Sequence, residues 1–147
     1  MSQTTDAAAG VDDTFRTVRL QVPLRDEYAS TLRVVVASLS SDAGFTVDDI
    51  DDLRLAVSEV FSSIVQAHRV DIVSAPGATA DVAIDAVDGR VAVSVSSSID
   101  ELPRVIDLDD LARAIITAAV DEFAVVDGVV TLAKHSMDSS SHADTPR

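Results

Sequence analysis

The stretch Thr46–His68, TVDDIDDLRLAVSEVFSSIVQAH, decides the fold. Ile50, Leu53, Val57, Val60, Phe61, Ile64 and His68 recur at helical spacing and make one continuous face for burial. Thr46 is placed to cap the N-terminus, with Asp49 three residues on in a capping-box-like arrangement. Asp48, Asp49, Asp51 and Asp52 crowd the first turns, where the helix dipole favours negative charge. A second stripe holds Asp52, Ala56, Glu59, Ser63 and Gln66. Glu59 and Ser63 are four residues apart, so both project from one side.

Working outward, Thr14–Pro23 alternates Phe15, Val18, Leu20 and Val22 with polar residues. That is a half-buried strand, closed by Pro23. Asp26–Ala43 reads as a helix with Tyr28, Leu32, Val35, Val36 and Leu39 inward, and Gly44 stands where a left-handed cap is expected. On the other side, Pro76-Gly77 marks a turn. Ala80–Asp85 and Arg90–Ser96 alternate across Asp88-Gly89, a hairpin signal. Leu108–Val120 is amphipathic, with Leu108, Leu111, Ile115 and Ala119 expected inward. Glu122–Val126 and Val129–Ala133 form a last hairpin across Asp127-Gly128. Strands in runs with helices between them predict an α+β two-layer sandwich. Residues 1–13 and 135–147 are polar and read as flexible tails around one domain, 14–134.

Composition removes several classes of function. The 147 residues suffice for one domain with a core, and 47% of them are hydrophobic. Cysteine is absent, so there are neither disulfides nor thiolate zinc sites. No apolar run reaches membrane-span length and the N-terminus lacks the pattern of a secretory signal, so a cytoplasmic location is expected. A net charge of −14 repels nucleic-acid phosphates, and 3% aromatic content offers no base-stacking platform. Such a surface either serves solubility alone or offers an acidic binding face to a basic partner. The three histidines, His68, His135 and His142, make no metal-ligand or triad spacing, so no metal is expected.

The segment Leu53–Val65, LRLAVSEVFSSIV, resembles the motif helix of the anti-sigma-factor serine kinases, a branch of the GHKL ATPase superfamily. Arg54, Leu55, Ala56, Val57, Ser58 and Glu59 match the family pattern. The Ala43-Gly44-Phe45 linker also fits, and the resemblance spans about Thr14 to Lys134. It implies a two-layer α/β sandwich of the GHKL type, with helices on one face of a mixed sheet. In the family the Glu at position 59 serves the nucleophile, and an Asn four residues later binds the nucleotide's magnesium.

Here that Asn position is Ser63. The family's Asp-x-Gly-x-Gly signature should begin where Ser96, Ser97 and Ser98 stand, and the nearby Asp100 has no glycine after it. The lid segment from Glu101 to Ile115 contains no glycine and carries Asp107, Asp109 and Asp110. Phosphates are cradled by backbone N–H groups in conformations that glycine permits, and like charge opposes a triphosphate. The sequence therefore predicts a pseudokinase that uses no cofactor, with Glu59 vestigial and Ser63, Ser96, Ser98 and Asp100 as degenerate positions. The resemblance implies partners: a sigma factor, or an anti-anti-sigma protein of the STAS class. It also implies a homodimer, with the sheet supplying the dimer surface or covered by the partner. A diverged ATP-binding serine kinase and a purely structural dimerisation module are the alternatives.

Overall fold

The computed structural model describes residues 17–69, 75–99 and 108–136. Strand β1 (Thr17–Pro23) leads through a 3-10 turn at Asp26–Tyr28 into helix α1 (Ala29–Asp42) and then α2 (Val47–Ala67). Strands β2 (Thr79–Val87) and β3 (Arg90–Ser97) follow, then α3 (Asp110–Ala119), β4 (Glu122–Val126) and β5 (Val129–His135). The sheet order is β1-β2-β3-β5-β4.

Local chemistry fixes the helix ends. Thr46 Oγ1 accepts from the Asp49 N–H at 3.2 Å and so caps α2. Between the helices, Gly44 sits at φ +87°, which a side chain resists. Around it the Phe45 N–H bonds the Ser40 carbonyl and the Gly44 N–H bonds the Ser41 carbonyl, both at 3.1 Å. These are the two bonds of a Schellman cap, and buried Phe45 supplies its apolar contact. This sharp closure folds α2 back along α1.

That turn also decides strand polarity. Every described pair of neighbouring strands is antiparallel, where a mixed sheet was expected. Among the described residues α1 and α2 lie between β1 and β2, and β2 begins where β1 finished, with Thr79 opposite Pro23, so it runs the other way. Among the described residues α3 lies between β3 and β4, which run in the same direction. They do not touch, because β5 inserts between them, antiparallel to both.

The core lies between the helices and one face of the sheet. Leu53, Val57, Val60, Phe61 and Ile64 of α2 are buried against Val82, Ile84, Val91, Val93, Val95, Val130 and Leu132. Burying each such side chain is worth roughly 1.5–3 kcal/mol. Leu32 and Val36 of α1 are fully buried, and Tyr28, Val35 and Leu39 are partly buried around them. The inward residues expected of α2 lie where the spacing placed them, with Ile50 at the margin.

Helix α3 departs from expectation in part, since Leu108 and Ala119 are buried as expected and Leu111 and Ile115 are not. Its buried residues are Ala112, Ile116 and Ala119, while Leu111 is 70% exposed and Ile115 half-buried. Leu108 precedes the helix, which starts at Asp110. Asp109 is the N-cap, its Oδ1 accepting from the Ala112 N–H at 2.7 Å. Asp110, Arg113 and Thr117 share one side and leave an apolar sector from Leu111 round to Ile116, wide enough for more than one packed stripe. The one that packs presents two alanines, which permit close approach to α2.

Strand β5 runs through His135, one residue past the expected domain boundary. Phe15 and most of the tails lie outside the described residues.

Candidate functional site

The two flanks of α2 have different neighbours. Arg33 of α1 donates to Ser58 Oγ at 3.2 Å, and Ser58 Oγ donates to the Arg54 carbonyl at 2.8 Å. At about 100° per residue, Asp52, Ala56, Glu59 and Ser63 occupy the opposite flank. Asp52 Oδ2 lies 3.4 Å from Lys134 Nζ, which donates at 2.9 Å to the carbonyl of Ala119, the last residue of α3. The stripe bearing Glu59 and Ser63 therefore faces α3. Ala56, in the middle of it, is wholly buried, and Glu59 and Ser63 are half-buried.

Chain direction places the other end. The Gly89 N–H bonds the Ala43 carbonyl at 3.1 Å, so the β2–β3 turn sits at the N-terminal end of α2. Strand β3 consequently finishes toward the C-terminal end of α2. Helix α3 ends beside Asp52, so it runs back along α2 with Asp109 and Asp110 toward Ser63. Two carboxylates thus stand at the end of α3 nearest the Ser63 end of α2, and one of them is committed to its cap.

The serines after β3 divide between the faces of the sheet. Ser96 pairs with Asp81, on the face away from the helices. Ser97 pairs with buried Ala80, and so has the parity of Val91, Val93 and Val95, which face the helices. Ser97 Oγ accepts from the Ile99 N–H at 3.1 Å. Ser98 is tied into the sheet end, its N–H donating to the Thr79 carbonyl at 2.8 Å and its Oγ accepting from the Thr79 N–H at 2.9 Å. Of the three, only Ser97 shares the helix side with Glu59 and Ser63. The strand's period of two would have singled it out once β3 was phased. Asp100 and Asp107 lie outside the described residues.

The second candidate surface is the sheet face that none of the described helices covers. Across its middle run Arg19, Ala83, Ser94, Thr131 and Ala124, with small side chains between the strands. One shallow cleft is lined by Arg19, Gln21, Asp81, Ala83, Ser94 and Ser96. A second includes Asp85, Arg90, Ala92, Glu122, Thr131 and Ala133. Thr17 Oγ1 donates to Asp85 Oδ1, Arg90 lies 3.6 Å from Glu122, and His135 Nε2 lies 3.2 Å from the same carboxylate. Asp81 Oδ1 is shielded from solvent and has no hydrogen-bond partner. Among the described residues no three His, Asp or Glu side chains are grouped to hold a metal ion, and no helix is long and apolar enough to cross a membrane.

No family model matches the chain. Curated relatives do. They include the serine-protein kinases RsbW of Bacillus cereus (strain AH187), Bacillus thuringiensis (strain Al Hakam) and Bacillus anthracis (strain CDC 684 / NRRL 3495). Each is 34% identical over 59 residues, which is 40% of this chain and 37% of the relative. The match thus spans little more than a third of those proteins' length. Over that share the chain is similar to serine-protein kinases, in keeping with the family that its Arg54–Glu59 motif resembles.

Proposed function

We propose that this protein is a non-catalytic regulator that acts by binding other proteins in sigma-factor control by partner switching. The observation that carries the reading is the flank of α2. Ser63 stands at the magnesium position, on a stripe that meets α3 directly, and α3 begins with two aspartates at that end. Magnesium takes near-octahedral oxygen ligands, and a triphosphate beside two carboxylates is repelled. Glu59 is then a retained helix residue rather than a catalytic one. Ser63, Ser96, Ser98 and Asp100 stand at the family's nucleotide positions along the sequence, with Ser96 turned to the opposite face of the sheet, so the site is lost and no cofactor or metal takes part.

The partners are a sigma factor or a STAS-type anti-anti-sigma protein, and the protein itself forms a homodimer. The uncovered sheet face suits a protein partner because its small residues allow flat apposition. Its shielded Asp81 oxygen and the net charge of −14 favour a basic group from outside. Nucleic acid and membrane are not partners. The binding domain is 14–134, with tails at 1–13 and 135–147, and the protein works in the cytoplasm.

A second reading has its own support. The curated relatives carry the name serine-protein kinase, which favours a diverged enzyme that still binds ATP. Thermal unfolding with and without millimolar Mg-ATP separates the two. A ligand at 100 times its Kd adds about 2.7 kcal/mol, a shift of several degrees for a chain of this size. We expect no magnesium-dependent shift, and a shift of that size would establish the enzyme reading instead. Capture from native cytosol, with the bound proteins identified by mass, tests the partner. A reproducible sigma factor or STAS protein is expected, and recovery of the chain alone would favour the dimerisation module.

A further inference from the structure

We infer that the free edge of β4 is a self-pairing edge, at which two copies join their sheets into one antiparallel sheet about a twofold axis through Ala124. The inference rests on the homodimer reading above and specifies its surface.

Strand β4 is one of two edges of the described sheet, bonded to β5 on one side only. Its sequence is Glu-Phe-Ala-Val-Val, with no proline and no basic residue. Natural edges are commonly blunted by such residues. The opposite edge, β1, holds Arg19 and ends in Pro23.

The hairpin turn tells which groups point outward. Val126 pairs with Val129 across the two residues Asp127 and Gly128, both at positive φ, +52° and +79°. That is a type I′ hairpin, in which the pair flanking the turn exchanges both backbone hydrogen bonds. Bonded and non-bonded pairs alternate along an antiparallel ladder. Val126, Ala124 and Glu122 therefore direct their N–H and C=O groups to β5. Phe123 and Val125 direct theirs out of the sheet.

The same two residues are also incompletely packed. Phe123 and Val125 lie on the core side, opposite Leu132 and Val130, yet both are only half-buried. An antiparallel copy centred on Ala124 meets both deficits at once. Phe123 would face Val125 of the second copy in a hydrogen-bonded pair, and Val125 would face Phe123. Ala124 would face Ala124 in a non-bonded pair, as the alternation requires. Aromatic and β-branched residues are favourable cross-strand partners. Glu122 would lie opposite Val126, so no like charges meet within the strand. Asp121 and Asp127 would meet just beyond its ends, so added salt should tighten the dimer.

The chain has no cysteine, which makes the test direct. Opposed Ala124 residues would have Cα atoms about 4.5 Å apart, within disulfide reach. Ala124→Cys should cross-link to a covalent dimer on mild oxidation, well above Val34→Cys, a control on the 69%-exposed site of α1. Light scattering of the parent at micromolar concentration should give twice the 15.4 kDa of one chain. Val125→Pro removes an outward N–H and should return the mass to that of one chain. If that variant does not fold by circular dichroism, the cross-link decides. A dimer mass with no cross-linking above the Val34 control overturns edge pairing and leaves the homodimer standing. A single-chain mass across the concentration range overturns both.

Discussion

Lys134 Nζ lies 2.9 Å from the carbonyl oxygen of Ala119, so the chain's one lysine closes the C-terminus of α3. The same ammonium stands 3.4 Å from Asp52 at the start of α2. Helix C-termini carry unpaired carbonyls and partial negative charge, and a cation there answers both. Lys134 extends from the sheet to join two helices, and its side chain is only 11% exposed.

Removing the ammonium should therefore matter more than removing the carboxylate. Lys134→Met keeps the aliphatic stem and should lower stability by about 1.5–3 kcal/mol, the range for hydrogen bonds to charged groups. Asp52 is 48% exposed, and Asp52→Asn should change stability by less than about 1 kcal/mol. Urea titrations of the two variants check this. Equal effects would show that the ion pair, rather than the carbonyl bond, is what counts.

The packed face of α3 is open to the same kind of measurement. Ile116 is fully buried, so Ile116→Ala should destabilise by roughly 2–5 kcal/mol. Leu111 is 70% exposed, and Leu111→Ala should stay within about 0.5 kcal/mol of the parent. The reverse order would restore the phase expected from the sequence.

Asp109 caps α3 through the Ala112 N–H. Asp109→Ala should cost about 0.5–2 kcal/mol, and Asp109→Ser should recover most of it. Thermal unfolding of the pair is sufficient. A null effect of Asp109→Ala would mean that the helix start is held by packing alone.

Ser63→Asn looks like a repair of the magnesium position, and we expect it to fail. One added oxygen contact contributes about 1.5–3 kcal/mol, one or two factors of ten in affinity. It leaves Asp109 and Asp110 at the end of α3 nearest Ser63, and Ser98 bound to the Thr79 backbone. Isothermal titration with Mg-ATP should show no binding tighter than about 0.1 mM. Tighter binding would mean that the loss of Asn is the only lesion in an otherwise competent site.

Much of the fold was legible because its signals are local. Thr46 caps α2, Gly44 takes a left-handed conformation, and the two Asx-Gly pairs close hairpins, each through bonds within a few residues. The face of α2 was legible for the same reason, since its polar and apolar residues alternate strongly enough to fix one phase. Helix α3 has an apolar sector broader than one packed stripe, and the site serines sort between the two faces of the sheet only with the register of β3.

By itself, then, the sequence determined the elements, the caps and the turns, and the stripe that sets Glu59 and Ser63 on one side of α2. The tertiary structure decided what could arise only between distant segments. It set the antiparallel order of the sheet, because polarity depends on which ends of distant strands meet, as Pro23 meets Thr79. It also chose the inward face of α3, because Ala112 and Ala119 fit against α2 where Leu111 does not. Finally, it gave Lys134 its two partners, Asp52 and Ala119, which no local pattern connects. Hydrogen bonds and dihedral preferences act over a few residues and can be read along the chain. Packing acts across the chain, and its outcome depends on which surfaces meet.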